Sequence, residues 1–520
     1  MTEGSGNINE VIKLVSMEEH SDRVPEWLRQ RARLTGSRLA VIGEGVTWTY
    51  RELDERATAT ARQLASLGIG EGDRVAVLSW NCPEFVVIVH ALVRLRATLV
   101  PLNARLTVPE LAWQLTDAEV VLLVHDEAHR DTAVAIGGSR PELRTAVLAE
   151  SGQLGALNGV DQAEVALADS MVLDRPHSII YTSGTTGQPK GAMLTNGNFW
   201  WSAMGSALNL GLRADDRWLA CLPLFHVGGL SIPLRSVIYG IATVIHHGFD
   251  ALAVNRAIDE QGVSIVSVVS TMLQRMLDAH GERPYPNSLR CVLIGGGPVP
   301  EPLLERAAAL SVPVVQTYGL TETASQVATL APEDALRKLG SAGKPLFPNE
   351  LRIESASQAA SAGTVGEIVV RGPSVTVGYF NRPEATASAF RDGWLHTGDL
   401  GYLDDEGYLY VVDRRDDLIL SGGENVYPTE VEAALLAHPA VDEVGVIGVP
   451  DPDWGQVPVA LVKPKREHDL DVEALRAFCR ERLASYKVPR EIRMVVGLPR
   501  NAAGKLLRRE LRKYWGETTS

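Results

Sequence analysis

The run Tyr181-Thr182-Ser183-Gly184-Thr185-Thr186-Gly187-Gln188-Pro189-Lys190-Gly191 sets hydroxyls, glycines and one lysine behind a short apolar stretch, Ser178 to Tyr181. Backbone N–H groups left accessible by glycine, side-chain hydroxyls and an ammonium together suit a triphosphate. It is not the ATPase loop that ends in Gly-Lys-Ser/Thr, because a proline precedes the lysine and a glycine follows it. A flexible surface loop carrying one charge is the plain alternative. A second cluster, Gln316-Thr317-Tyr318-Gly319-Leu320-Thr321-Glu322-Thr323, follows another strand pattern. A carboxylate beside a phosphate site is unfavourable unless a divalent cation stands between them, so Glu322 reads as a Mg²⁺ ligand. Tyr318, before Gly319, offers a flat face to adenine, and Thr321 a hydroxyl to the α-phosphate; a solvated turn would use the same residues. Gly295-Gly296-Gly297-Pro298 presents side-chain-free backbone after Arg290 to Ile294, either for a planar ligand or as a strand-to-helix turn.

These residues need a scaffold that brings strand ends together. From Glu26 to about Ser170 helical patterns alternate with β-branched runs, and Arg74 to Ser79, Thr98 to Leu102 and Val120 to Val124 read as buried parallel strands. The rhythm continues through Ala220 to Leu224, Ile241 to Ile245, Ser264 to Val269, Arg290 to Ile294 and Val312 to Gln316. Such units predict an α/β fold of mostly parallel sheets flanked by helices, with ligands at the loops after strand ends. After Leu346 the glycine turns and short strands Glu367 to Arg371 and Tyr408 to Val412 predict a small β-rich subdomain. Beyond the charged run Asp413-Arg414-Arg415-Asp416-Asp417 comes a small α+β unit: a hairpin, a helix opened by Pro428, strands near Val444 and Val459, and a helix from Val472 to Ala484. The expected domains are therefore 25–415 and 416–520, preceded by a polar extension, 1–24.

The chain has 520 residues, 45% apolar and 22% charged, with a formal net charge of −14. That balance argues against nucleic acid as a partner and requires local positive sites for anionic ligands. Four scattered cysteines, without a Cys-x-x-Cys pair, form neither a disulfide framework nor a zinc site and suit the cytoplasm. The apolar run Phe85 to Val93 carries His90 and is too short to span a bilayer, so no membrane insertion is expected.

In their order along the chain, these motifs resemble those of the adenylate-forming superfamily of acyl-CoA synthetases, peptide-synthetase adenylation domains and luciferases. The resemblance runs from about Pro25 to Arg512 and implies further roles. Asp399, in Trp394-Leu395-His396-Thr397-Gly398-Asp399, would accept both ribose hydroxyls, and Arg414 would also contact the ribose. Asp416 would be the hinge of a mobile small domain, with Gly422 and Gly423 lining a coenzyme A tunnel. Lys505, in Pro499-Arg500-Asn501-Ala502-Ala503-Gly504-Lys505, would be the catalytic lysine that bridges the attacking carboxylate and the α-phosphate. By composition alone, that tail with Arg508, Arg509, Arg512 and Lys513 is a solvated basic helix. His226, in Leu222-Pro223-Leu224-Phe225-His226, is either a satisfied core residue or a gate near the acyl and thiol paths.

Several segments resemble the o-succinylbenzoate–CoA ligases of menaquinone synthesis more specifically: Ser206 to Leu212, Trp218 to Ser231, Ser267 to Leu273, Gly340 to Phe347 and Pro499 to Leu511. The implied substrates are an aromatic dicarboxylic acid, ATP with Mg²⁺, and coenzyme A; a homo-oligomer is compatible with the sequence. The acid's second carboxylate needs polar contacts, for which Arg105, Ser267, Ser270 and Thr271 are candidates, with core hydroxyls and a surface arginine as the equal alternative. Another aryl or medium-chain acid–CoA ligase is the nearest competing expectation. A carrier-protein adenylation enzyme is less favoured, since no carrier domain follows Ser520. A non-catalytic nucleotide sensor would be expected to lack Lys190, Glu322 or Lys505, and all three are present.

Overall fold

The computed structural model describes residues 23–517 except 107, 150–152, 183–188, 297–298, 357, 415–418, 422–423, 427, 452–453, 466–469, 484 and 502–503. Three of the short apolar runs form neighbouring parallel strands, Thr98–Pro101, Arg74–Leu78 and Leu122–His125. Their side chains are buried on both faces, which is why they lack polar alternation. Pro176–Thr182 continues this sheet, and Lys190–Thr195 closes it as an antiparallel strand. One covering helix, Pro83–Leu95, starts with proline at its first turn and is buried along almost its whole length. It brings Arg94 into the interior, where the guanidinium pairs with Glu26 at 3.0 Å and with Asp54. Glu26 also accepts from the Leu28 and Arg29 N–H groups at the start of the helix Trp27–Thr35.

The second sheet has a parallel half, in the order Val314–Leu320, Cys291–Ile294, Ile265–Val268, Arg217–Ala220, Ala242–Ile245, Leu39–Gly43. Val314–Leu320 turns it antiparallel, pairing Thr317 with Thr329 of Ser325–Thr329. The strands Ser341–Pro345, Leu409–Arg414, Trp394–Leu403, Gly366–Arg371 and Glu350–Ser355 then follow. The β-rich region expected after Leu346 is hydrogen-bonded into the large sheet and has its own apolar cluster around Tyr318, Ile368, Val370, Leu395 and Leu409.

The last unit pairs Val441–Asp451 with Gly455–Pro464, adds the hairpin Ile419–Ser421 and Glu424–Val426, and places Glu491–Met494 parallel to Gly455–Pro464. Its helices Pro428–Leu436 and Val472–Arg480 close a separate core containing Val431, Leu435, Val446, Ala460, Leu475 and Cys479.

Several expectations change. The strand Arg23–Pro25 pairs with Ser170–Val172, so Arg23 and Val24, within the stretch 1–24 expected to be an extension, belong to a sheet. The strand expected at Ala220 to Leu224 is Arg217–Ala220, and Cys221 to His226 forms its exit loop. The C-terminal basic residues are not simply solvated: Arg508 pairs with Glu432 at 2.6 Å and Arg500 with Glu443 at 2.8 Å. All four cysteines are free, and burial pushes the Cys221 and Cys291 thiols up to about 12. Among the described residues no helix is long and apolar enough to cross a membrane.

A candidate active site at the strand ends

Thr182 and Lys190 face each other as register partners where the loop leaves and re-enters the first sheet. Ser183, Gly184, Thr185, Thr186 and Gly187, between them, lie outside the described residues. The lysine strand is joined to a distant segment by backbone hydrogen bonds, from Met193 N–H to Gly378 O at 2.9 Å and from Phe380 N–H to Gly191 O at 2.8 Å. Asn198, in the helix that follows, donates to the Pro373 and Val375 carbonyls. Gly378 is needed in this join, since its φ is +136° and a Cβ there would lie 2.6 Å from Thr386 Cγ2.

The join delivers Tyr379 to Glu322 and Lys190. Its hydroxyl donates to Glu322 Oε1 at 2.8 Å, and Lys190 Nζ lies 5.4 Å from the centre of its ring. Thr376 N–H donates to the Glu322 carbonyl at 2.7 Å, so both ends of the glutamate are held by one segment. Glu322 lies in the short turn Thr321–Thr323. A carboxylate oriented by a tyrosine, with a lysine nearby, fits magnesium, which is usually held by one or two carboxylates together with phosphate oxygens. Tyr379 escaped the sequence reading because it sits in a non-periodic stretch; the Gly378-Tyr379-Phe380 run was the available signal.

Tyr318 and Asp399 are both buried, and the tyrosine hydroxyl donates to Asp399 Oδ2 at 2.8 Å. Asp399 lies opposite Arg414 in the strand register. Its approach is fixed by Thr397, whose hydroxyl accepts Asp399 N–H and donates to the Ile368 carbonyl. Gly319 permits a close crossing, since a Cβ there would fall 1.6 Å from the Ser325 carbonyl oxygen. Gly295 and Gly296 follow the neighbouring strand Cys291–Ile294, with Gly295 against Thr317. Gly297 lies outside the described residues.

A third group gathers around His226, at the N-terminus of the helix Val227–Tyr239. Asn81 pins the preceding loop, donating to the Leu222 carbonyl at 2.9 Å and accepting from Leu224 N–H at 2.8 Å. Burial, followed by the field of Arg105, pushes the His226 imidazole down to about 4, so it is neutral at neutral pH. The Arg105 guanidinium lies 5.6 Å over the Trp80 ring. Sequence reasoning found Arg105 and His226 but missed Trp80 and Asn81.

Thr271 lies in the first turn of the helix Ser270–His280, of which Ser270 is the first residue. A Cβ placed on Gly504 would lie 3.5 Å from Val269 Cγ2 and 3.9 Å from Thr271 Oγ1, so the loop carrying Lys505 reaches this segment. That loop is held by Arg500 donating to the Gly504 carbonyl and by Lys505 N–H donating to Asn501 Oδ1, each at 2.8 Å. Ser267 is buried; its hydroxyl accepts Trp218 Nε1–H at 2.9 Å, and its carbonyl accepts from the Cys221 thiol. Its hydroxyl thus satisfies a buried indole. Asp416, Gly422 and Gly423 lie outside the described residues.

The AMP-binding enzyme family matches residues 28–380, and the AMP-binding enzyme C-terminal domain matches residues 430–505. The chain is 54% identical over 495 residues to the 2-succinylbenzoate–CoA ligase of Geobacillus kaustophilus, covering 95% of this chain and 99% of that one. It is 49% identical to the enzyme of the same name from Bacillus mycoides, again over 95% of this chain and 99% of that one. Among solved structures, it is similar to o-succinylbenzoate CoA synthetase from Bacillus subtilis in complex with its acyl-adenylate intermediate. That likeness has a TM-score of 0.88 and 45% identity and covers 94% of this chain and 98% of that chain. The same enzyme with ATP and a magnesium ion gives a TM-score of 0.87 and 45% identity, covering 94% of this chain and all of that one. This chain therefore belongs to the AMP-binding enzyme family, within its branch of 2-succinylbenzoate–CoA ligases.

Proposed function

We propose that this chain joins o-succinylbenzoate to coenzyme A in two steps at one site, in the cytoplasm and in the service of menaquinone synthesis. In the first step a carboxylate oxygen of the acid attacks the α-phosphorus of ATP. The bond to pyrophosphate breaks and an acyl-adenylate forms. In the second, the coenzyme A sulfur attacks the acyl carbonyl carbon, AMP leaves with the bonding pair, and a thioester remains. Replacing carboxylate oxide by AMP as the leaving group makes thiol attack feasible.

Thr182, Lys190 and the loop 183–187 would hold the phosphates, and Glu322 would hold the magnesium that balances their charge. Tyr318, Asp399 and Arg414 would hold the nucleoside beside Gly295 to Gly297. Thr321 would contact the α-phosphate, and Lys505 would meet the charge that grows there in the first step. Neutral His226 would shape the acyl and thiol path without adding charge, while Arg105 and Thr271 would meet the acid's second carboxylate. Rotation about Asp416 would then withdraw Lys505 and bring Gly422 and Gly423 to the thiol path. The observation that best supports this arrangement is Gly504 against Val269 and Thr271, because it carries the lysine loop of the small domain to the acyl side.

Pyrophosphate release with ATP, Mg²⁺ and coenzyme A separates the acids. o-Succinylbenzoate is expected to support turnover far above benzoate and octanoate; equal rates with octanoate would defeat the assignment. Because Arg105 is exposed, Arg105→Ala should raise the KM for o-succinylbenzoate by only about threefold to fivefold. An unchanged KM would remove Arg105 from the acyl site. Tyr379→Phe loses the hydroxyl that orients Glu322 and should raise the magnesium concentration needed for pyrophosphate exchange by about tenfold. Unaltered magnesium dependence would leave Tyr379 with a packing role alone.

A further inference from the structure

At the other end of the strand Pro176–Thr182, about 20 Å from Thr182 at the usual rise per residue, two adjoining cavities of about 70 and 150 Å³ share Arg96, Arg175 and Pro176. Arg23 also lines the smaller cavity and Arg74 the larger. Glu71 is shared between Arg96 and Arg175, while Glu119 pairs with Arg74 at 3.0 Å. Four arginines thus line the two cavities, three of them paired with two carboxylates, a local positive excess in a chain whose net charge is −14.

The smaller cavity also has a polar wall. His177 is only 3% exposed, lines that cavity, and has no hydrogen-bond partner at either ring nitrogen among the described residues. Its ring packs against Phe199 with centroids 4.7 Å apart. Leaving a buried imidazole unpartnered is costly, and an anion accepting its N–H would relieve that cost.

The larger cavity backs onto the edge of the first sheet. Its wall includes Met193 and Phe380, the residues whose N–H groups join the lysine strand to the Tyr379 segment. The Arg74 guanidinium lies 5.7 Å over the Phe380 ring.

We propose that these cavities form a second anion site, separate from the nucleotide site, for a small dianionic oxyanion of the phosphate or dicarboxylate class. The guanidiniums supply charge and forked donors, and His177 supplies a neutral donor. Glu71 occupies the guanidiniums when the anion is absent.

The test is equilibrium dialysis of the full chain against radiolabelled inorganic phosphate at constant ionic strength, without an acid substrate. MgATP, too large for either cavity, is kept saturating to fill the nucleotide site. One phosphate per chain is expected, half-saturating in the low-millimolar range, on the order of 4 kcal/mol of binding. The double variant R96Q/R175Q should raise that concentration at least about tenfold. E71Q should lower it about threefold to fivefold, because the competing carboxylate is gone while the guanidiniums remain. Displacement by malonate would extend the ligand class to dicarboxylates, and failure to displace would narrow it to phosphate. Absence of binding, binding indifferent to R96Q/R175Q, or weakening by E71Q would each overturn the proposal. None of these readouts depends on ligase activity.

Discussion

Lys505→Ala is expected to lose acyl-adenylate formation by about 10²–10³-fold while a supplied acyl-adenylate is still converted to thioester at close to the normal rate. The asymmetry follows from where charge develops. Attack on the α-phosphorus gathers negative charge on its non-bridging oxygens and needs a nearby cation; thiol attack on a carbonyl already activated by AMP does not need that cation. The exposed Lys505 follows Gly504, which abuts Val269 and Thr271, so its removal should not disturb a core. Pyrophosphate exchange measures the first half-reaction, and AMP release from synthetic acyl-adenylate with coenzyme A measures the second. Equal loss of both would mean that Lys505 serves the architecture of the site instead of one chemical step.

Arg94→Met should be the most damaging single change to stability, lowering it by about 3–5 kcal/mol. Arg94 and Glu26 are both about 1% exposed. The arginine also donates to the Asp54 carbonyl and the Thr58 hydroxyl. Deleting the guanidinium strands a buried carboxylate, whereas Glu26→Gln keeps an acceptor for the helix N–H groups without the charge. The double variant E26Q/R94M should therefore be more stable than R94M alone. Urea midpoints for the large domain would show this, and a double variant at least as unstable as the sum of the singles would refute the ion-pair account.

Much of this architecture is legible in local composition. Runs such as Arg74 to Leu78 and Cys291 to Ile294 are apolar without alternation because helices or sheet neighbours cover both faces, and that pattern predicts parallel strands directly. Lys190, Glu322 and Tyr318 stand out in the sequence because each sits in a short run of glycines and hydroxyls at a strand end. What stayed hidden depends on contacts between distant segments. Tyr379 meets Glu322 across 57 positions of sequence, and Arg508 meets Glu432 across 76; no local period announces either. Ser267 shows the converse problem. A hydroxyl in an apolar strand signals a polar partner but not which one, and here the partner is the Trp218 indole. Likewise, glycine turns predict a small β-rich subdomain after Leu346, but not the pairing of Ser341–Pro345 with Leu409–Arg414 that joins it to the large sheet.

The strand Lys190–Thr195 is the outermost member of its sheet, where a bare row of amides and carbonyls would invite pairing with another molecule. Here the stretch ending at Phe380 seals part of that border, through the bridge between Ala192 and Tyr379 and the hydrogen bonds beside it. A fragment truncated before Val375 would uncover the border and lose its guard against self-association. The feature that orients the glutamate therefore also dictates where this polypeptide can be cut.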